Sequence, residues 1–298
     1  MGTAILIDLR SGPAFLHALA STLFNVRNTL DLSWDVHAWI SADSNVSRSV
    51  VQRLCTVPRL RLALDRGTLR LRQANFPNEA SWSGFNRLYA TQQFWRTFTT
   101  PHVLMFHIDS CLCGRPTRSL KSFLEGGWTF IGAPWPPSNP LSCQRHPLAE
   151  GAVFANSHRH VPRPARFSCV GNTGLSLWRS DDMVKLTSAV EASGRDEYAA
   201  YIDHFTDFWA SGHIQTKQIA LGLGGVPNET EAALFAIETF DPLPETTPVG
   251  FHLARGQLHG NKFLGMEKEQ MLALRCPQIT SIFYRLEERH GNIPTRHN

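Results

Sequence analysis

The sequence lacks any hydrophobic run of the roughly 18 residues that a membrane-spanning helix needs, in a chain of 298 residues. Its opening segment soon reaches an acidic residue, Asp8, whereas a secretory signal peptide has a positive start and a longer apolar core. We therefore expect no transmembrane segment and a cytoplasmic location.

A strong charge of either sign is also missing. The formal net charge is +4, and the 29 lysines and arginines are spread along the chain. This distribution does not indicate a nucleic-acid surface. Hydrophobic residues make up 42% and charged residues 18%, proportions that suit a globular enzyme with a substantial core rather than a disordered chain.

Closely spaced cysteines are few. Of the six cysteines, only Cys111 and Cys113 lie near each other, with one residue between them. A zinc knuckle usually has about two to four residues in that gap. Because no secretory signal is evident, the scattered cysteines predict reduced thiols rather than a disulfide framework.

Among the features that are present, the most informative is an apolar run that ends in a lone aspartate. The run Val103–Phe106 leads through His107 and Ile108 into Asp109. It predicts a strand buried on both faces of a sheet. Open α/β sheets bind ligands beyond the carboxyl ends of their strands, so Asp109 is the first candidate for chemistry. The alternative is a turn or helix-capping residue.

Strands and helices alternate at the start of the chain. Apolar patterns predict strands at residues 4–7 and 35–40 and helices at residues 14–28 and 46–55. This β-α-β-α order is typical of a parallel sheet with helical crossovers. We find no internal repeat and no linker, which favours a single domain.

Two later segments have distinct patterns. Arg59–Leu64 and Leu69–Arg72 alternate between arginine and apolar residues and predict a strand pair or hairpin with one basic face. A solvated edge is favoured for this face over a phosphate-binding role. Residues 136–166 are rich in proline, serine and histidine and predict a long loop, a feature that is often functional or mobile.

Four polar clusters adjoin apolar segments and could meet at one sheet edge. They are His107 with Asp109, Gly171–Gly174, Glu229 with Glu231, and His252. Oxygen donors, an imidazole and a base are what a divalent cation and a polar substrate need. Each cluster also has an ordinary alternative: a turn at Gly171–Gly174, a helix first turn at Glu231, and a core histidine at His252.

The order of several segments resembles the DUF5672 family, a group of uncharacterised proteins similar to GT-A glycosyltransferases. The resemblance covers roughly residues 4 to 260. Its most specific parts are Ile131-Gly-Ala-Pro-Trp135 and Val170-Gly-Asn-Thr-Gly-Leu-Ser-Leu177. The other matching segments are Arg10, Phe94-Trp95, Val103–Cys113, Glu231–Phe235 and Pro248–His252.

The resemblance implies an α/β, GT-A-like (Rossmann-like) single domain over residues 1–298, with a mixed, mostly parallel sheet flanked by helices. Residues 1–110 would bind the nucleotide, residues 111–265 the acceptor, and residues 266–298 would form a helical tail. The implied activity transfers a sugar from a nucleotide-diphosphate sugar to a hydroxyl-bearing acceptor. A divalent cation, Mn²⁺ or Mg²⁺, would assist.

The resemblance also implies site roles. His107-Ile-Asp109 matches the Asp-x-Asp motif of the GT-A fold without its first carboxylate, and the family itself commonly keeps only the second. Asp109 would hold metal and diphosphate, with His107 and His252 as further metal ligands. The donor-binding residues would be Arg10, Asn172, Gly174 and Asp109.

The general base is implied at the family's Glu-Asp pair. The match is Glu231-Ala232 or Glu229-Thr230, so Glu231 or Glu229 would have to replace the missing aspartate. The absent carboxylates keep a second hypothesis open, a degenerate relative that binds a nucleotide sugar or a partner without turnover. A nucleotidyltransferase or phosphosugar enzyme is a weaker third hypothesis, because Ser11-Gly-Pro13 is a poor match to the phosphate loop of such enzymes.

Overall fold

A six-stranded sheet organises the computed structural model, which describes residues 2–7, 13–74, 87–135, 168–199, 206–238, 241–253 and 266–280. Arg10 and the predicted loop at residues 136–166 lie outside this described part. The elements in chain order are β1 (Gly2–Ile7), α1 (Pro13–Thr29), β2 (Trp34–Ser41), α2 (Ser44–Cys55), α3 (Pro58–Asp65), β3 (Leu69–Ala74), α4 (Gln92–Trp95), β4 (His102–Phe106), β5 (Ser110–Leu112), α5 (Leu120–Glu125), β6 (Phe130–Pro134), β7 (Val170–Arg179), α6 (Ser180–Ser193), α7 (Thr206–Leu221), α8 (Glu229–Phe235), β8 (Ala236–Ile237), β9 (Gly250–His252), α9 (Met266–Arg275) and a 3₁₀ helix (Pro277–Ile279).

The large sheet is mixed α/β with strand order β3-β2-β1-β4-β7-β6. The pairs β1–β2, β1–β4 and β2–β3 are parallel. The pairs β4–β7 and β6–β7 are antiparallel. The predicted β-α-β-α opening and the mostly parallel sheet are therefore confirmed. β4 is buried from Val103 to Phe106, as its continuous apolar run predicts.

The apolar stripe of α1 packs into the main core. Phe15, Leu19, Leu23 and Val26 are all buried there. Their spacing of three and four residues places them on one face of a helix. This packing matters for the site, because the same face of α1 also carries two buried polar residues, Thr22 and Asn25.

The predicted hairpin at residues 59–72 is wrong. Its first half is the helix α3, which begins at Pro58, and its second half, β3, pairs in parallel with β2. Proline favours the first turn of a helix because its fixed φ suits that position. Leu60 and Ala63, three residues apart, face the core, whereas Leu62 is exposed. β3 is nevertheless an edge strand, as predicted.

A second, three-stranded sheet has the order β5-β9-β8. β5 pairs with β9 in antiparallel fashion, and β8 pairs with β9 in parallel. One side of this sheet packs into a small separate core that includes Phe251 and Leu272. The sheet is functionally important because Asp109 directly precedes β5, and His252 is the last residue of β9.

The expectation of reduced thiols is wrong for one pair. Cys113 and Cys276 form a disulfide that links the end of β5 to the chain just after α9. Both sulfurs are buried in the small core, and the two residues are 163 positions apart in the sequence. Such a pairing depends on the tertiary fold and leaves no signal in cysteine spacing. Disulfides persist mainly in oxidising compartments, so this bond does not favour a cytoplasmic location.

Within the described residues, no helix combines the length and the apolar character that crossing a bilayer requires.

Candidate active site

Asp109 lies just beyond the carboxyl end of β4, where the sequence places it. The chain turns there, and the Ser110 amide donates to the His107 carbonyl at 3.1 Å before β5 begins. About a quarter of the Asp109 side chain is exposed. The carboxylate is therefore held in a short turn between two strands of different sheets, at the ligand-binding edge of an α/β sheet.

Two polar side chains of α1 hold this turn and the end of β5 through hydrogen bonds to the backbone. Thr22 Oγ1 donates to the Ile108 carbonyl at 2.9 Å. Asn25 both donates to the Leu112 carbonyl at 3.0 Å and accepts from the Leu112 amide at 2.8 Å. Buried polar groups need such partners. Sequence reasoning missed both residues, although polar residues three apart on an apolar helix face were a usable signal.

The small sheet brings His252 to Asp109. Ser110 in β5 stands opposite His252 in β9, and the Leu253 amide donates to the Asp109 carbonyl at 3.1 Å. As a result, Nε2 of His252 lies 3.3 Å from Oδ1 of Asp109. This contact is an ion pair without the alignment of a hydrogen bond, because Oδ1 has no hydrogen-bond partner among the described residues.

His107, Asp109 and His252 form a cluster whose potential ligand atoms all lie within 4.8 Å of one another. The rings of His107 and His252 meet edge to face, with centroids 5.3 Å apart. A buried carboxylate oxygen without a hydrogen-bond partner is a typical place for a bound cation. Two imidazoles and one carboxylate suit a transition-metal ion better than Mg²⁺, which prefers oxygen ligands.

The ionisation of this cluster is strongly perturbed. Burial alone would raise the pKa of Asp109, but the neighbouring charge of His252, helped by His107, holds it well below its usual range. Burial would lower the pKa of His252, but the negative charges of Asp109 and Glu238 raise it. Without a cation, protonated His252 is the counter-ion of Asp109. A metal ligand must be deprotonated, so a bound cation would take the place of that proton.

Gly174 lies against the His252 ring. A Cβ on this residue would come within 2.2 Å of the imidazole Cε1. Its carbonyl accepts from the His107 amide at 2.8 Å and from Ser110 Oγ at 2.7 Å. The Gly174 carbonyl therefore binds both His107 and Ser110, and the absence of a side chain on Gly174 leaves room for the His252 ring.

The alternative of an ordinary turn at Gly171–Gly174 is wrong. These residues are extended within β7, and neither glycine has a positive φ. The glycines are needed for space rather than for backbone conformation. Asn172 is buried, and its Oδ1 accepts from the Gly174 amide at 3.0 Å. The side chain of Asn172 thus braces Gly174 inside the strand.

Two acidic residues that the sequence interpretation did not select also lie here. Asp207 in α7 accepts from the Thr173 amide at 3.1 Å and from Thr173 Oγ1 at 2.5 Å. Burial, together with the nearby charge of Glu238, raises the pKa of Asp207 to about 6. Glu238, which follows β8, places Oε1 at 3.4 Å from Nδ1 of His252.

Glu229 and Glu231, the predicted bases, stand in the first turn of α8 and have partners outside the His107–Asp109–His252 cluster. Glu229 Oε1 accepts from the Cys169 amide at 2.7 Å. Glu231 Oε1 forms an ion pair with Arg118 at 2.5 Å, and both side chains are partly exposed. Their role in proton transfer stays a prediction.

Comparison with protein families identifies the group to which the chain belongs. A family model described as "Protein of unknown function (DUF5672)" matches residues 68–252, more than half of the chain. The chain belongs to this family. A comparison with curated protein sequences found no match.

Comparison with solved structures finds glycosyltransferases among the similar chains. The galactosyltransferase LgtC, crystallised with donor and acceptor sugar analogs, gives a TM-score of 0.50 at 13% identity, over 92% of this chain and 95% of that chain. The apo form of mouse xyloside xylosyltransferase 1 gives a TM-score of 0.49 at 8% identity, over 85% of this chain and 97% of that chain. GlyE from Streptococcus pneumoniae TIGR4 gives a TM-score of 0.47 at 10% identity, over 100% of this chain and 67% of that chain. At these identities the likeness concerns the fold alone, and the LgtC comparison carries it: the chain has a GT-A glycosyltransferase fold.

Proposed function

We propose that the protein is a glycosyltransferase that moves a sugar from a nucleotide-diphosphate sugar to a hydroxyl-bearing acceptor. The observation that carries this proposal is the cluster of His107, Asp109 and His252 at the carboxyl end of β4. In a GT-A fold, a cation-binding group at this edge is suited to hold a diphosphate.

The proposed roles follow from the cluster. Asp109 would hold a divalent cation with His107 and His252. A bound cation supplies positive charge that stabilises the diphosphate as the nucleotide leaves. Asn172 and Gly174 lie beside the cluster and would line the donor site, with Arg10 as a further donor contact.

The two halves of the chain would bind different substrates. Residues 1–110 would bind the nucleotide and residues 111–265 the acceptor. Glu231, or else Glu229, would accept the proton of the acceptor hydroxyl during attack. Each carboxylate lies at the start of α8, the helix that leads directly into β8 of the small sheet.

A donor screen tests this function. The full chain would be incubated with Mn²⁺ and a panel of nucleotide-diphosphate sugars, starting with UDP-sugars, and released nucleotide would be measured. Calorimetry would measure binding of the same nucleotide diphosphates. We expect at least one nucleotide to bind only when Mn²⁺ is present, and its sugar conjugate to be hydrolysed slowly. Absence of both binding and hydrolysis across the panel would refute the proposal.

One observation favours a second candidate, a relative that binds a nucleotide sugar or a partner protein without turnover. His107 stands where the Asp-x-Asp motif of the GT-A fold has its first carboxylate, so the cluster has only one negative ligand. This candidate predicts Mn²⁺-dependent nucleotide binding with no hydrolysis or transfer at any acceptor concentration. Turnover that disappears in Asp109→Asn would exclude it.

A further inference from the structure

Glu238 occupies a position set by strand register rather than by any sequence motif. β8 runs parallel to β9, with Ala236 opposite Gly250 and Ile237 opposite Phe251. The next residue along each strand is Glu238 on one side and His252 on the other. The small sheet thus places a carboxylate beside the histidine of the cluster. The Glu238 side chain is only 8% exposed.

The two nitrogens of the His252 ring meet two different carboxylates. Nε2 lies 3.3 Å from Asp109, and Nδ1 lies 3.4 Å from Glu238. These nitrogens are on separate edges of the imidazole. Glu238 is not one of the three residues whose ligand atoms gather within 4.8 Å. Glu238 therefore stands behind the histidine, on the side away from Asp109.

Glu238 is the carboxylate placed to accept a hydrogen bond from Nδ1 of His252. Nδ1 is enclosed and has no aligned hydrogen bond among the described residues, so a small rotation of the ring toward Glu238 Oε1 would satisfy it. A histidine that donates one N–H to a carboxylate keeps its other nitrogen available for a metal. A buried carboxylate is costly unless it is paired, and His252 is the ion-pair partner of Glu238 in the structure.

We infer that Glu238 is a positioning residue for the cation site: it accepts the Nδ1 proton of His252 and so keeps Nε2 directed at the cation beside Asp109. This inference rests on the proposed function for its biological purpose. What it predicts can be measured without turnover: the affinity of the site for a cation and the position of the proton on the His252 ring. The alternative is that Glu238 merely neutralises a buried histidine.

The main test compares Mn²⁺ affinities without nucleotide, from the electron paramagnetic resonance signal of free Mn²⁺. Glu238→Met removes the acceptor at similar volume, and we expect its affinity to fall about 10- to 100-fold. Glu238→Gln retains an acceptor oxygen and should stay within about 3-fold of the wild type, because the hydrogen bond survives. Glu125→Gln, in the exposed part of α5, is the matched control and should match the wild type.

A second measurement reads the protonation of the His252 ring in the wild-type protein and needs a variant only to assign the signal. In the wild-type protein saturated with diamagnetic Zn²⁺, ¹⁵N spectra of the histidine side chains show which nitrogen of His252 retains its proton. His252→Gln assigns the signal. We expect the proton on Nδ1. A proton on Nε2, with Nδ1 bound to the metal, would overturn the inference.

The outcomes separate this inference from the proposed function. Equal Mn²⁺ affinity in Glu238→Met and the wild type would overturn the inference alone. Equal losses in Glu238→Met and Glu238→Gln would also overturn it, because charge and not the acceptor would then matter. A wild-type protein that binds no Mn²⁺ would overturn both. Selective loss in Glu238→Met, in a protein without donor turnover, would support the inference while the function fails.

Discussion

Oδ1 of Asp109 and Nε2 of His252 lie 3.3 Å apart although they belong to different parts of the chain. Asp109 follows a strand of the large sheet, and His252 ends the central strand of the small one. The two sheets meet at this pair. The stability of the junction and the affinity for a cation therefore depend on the same two side chains, and this dependence can be tested directly.

Asp109→Asn removes the one negative charge of the cluster while it keeps the size of the side chain. We expect Mn²⁺ affinity to fall more than about 100-fold, since even residues behind metal ligands typically contribute 10- to 100-fold. Any donor turnover should be lost with it. Titration calorimetry measures the first effect and nucleotide release the second. Asp35→Asn, in an exposed pair with Arg70, is the control. Unchanged Mn²⁺ binding in Asp109→Asn would contradict the proposed cation site.

Glu231→Gln tests the predicted base. If Glu231 takes the acceptor proton, kcat should fall on the order of 10²- to 10⁴-fold, while Mn²⁺ and donor binding persist. Arg118→Met provides the comparison, since it breaks the same ion pair but leaves the carboxylate in place. Similar losses of kcat in both variants would show that the pair is structural. Glu229→Gln then becomes the next variant to measure.

Gly174→Ala tests whether space beside the imidazole matters. The added Cβ would lie 2.2 Å from His252 Cε1, so the ring or β7 must move. Such overpacking typically costs about 1–3 kcal/mol, and the displaced ring should bind Mn²⁺ at least about 10-fold more weakly. Denaturant unfolding and calorimetry measure the two effects. In Gly114→Ala the Cβ meets only the flexible end of Gln278, so this control should be nearly neutral. Equal behaviour of the two variants would refute the steric argument.

Cys113→Ser tests the disulfide to Cys276. The bond closes a loop with a sequence separation of 163 residues, and loss of a native disulfide typically costs about 2–5 kcal/mol. We expect a loss in that range in the free energy of unfolding under oxidising conditions. Once both proteins are reduced, only the smaller cost of a buried hydroxyl in place of a thiol should remain, because Cys113 lies in the small core. Cys55→Ser, at an exposed free cysteine, is the control. A loss of the same size after full reduction would argue against the bond as its cause.

Much of the scaffold was predictable from local patterns. β1 and β4 are apolar runs and α1 has an apolar stripe, so burial alone indicates these elements. Asp109 was also predictable, because a lone carboxylate after a buried strand lies at the sheet edge where α/β proteins bind ligands. The helix α3 was misread because its leucines alternate with arginines, and only Pro58 and the spacing of Leu60 and Ala63 indicate a helix.

The rest of the site depends on tertiary register. Glu238 reaches His252 only because a two-residue strand, β8, lies beside β9. So short a strand shows no alternation of apolar and polar residues from which the sequence could predict it. Asp207 matters because the first turn of α7 meets Thr173 across the fold. The spacing within Gly171–Gly174 suggested a turn because glycine serves both turns and close packing, and only the position of His252 distinguishes the two.

Asp207 gives a prediction of pH dependence. Its ordinary pKa is 3.8, and in the fold the pKa is raised to about 6, mainly by burial. A carboxyl group with a raised pKa binds its proton more tightly in the folded state. As the pH rises from about 4 to about 6 the unfolded chain ionises first, so the fold loses stability across this window. The loss is complete above it and amounts to at most about 3 kcal/mol.

Asp207→Asn cannot ionise and keeps an Oδ1 acceptor for Thr173. We therefore expect it to match the wild type near pH 4 and to be more stable near pH 7.5, by up to about 3 kcal/mol. Urea unfolding of both proteins at half-unit pH steps measures the difference. Because His252 and Asp109 titrate in both proteins, the informative quantity is the difference between the two curves. A difference of the same size at pH 4 and pH 7.5 would show that the ionisation of Asp207 is not its cause.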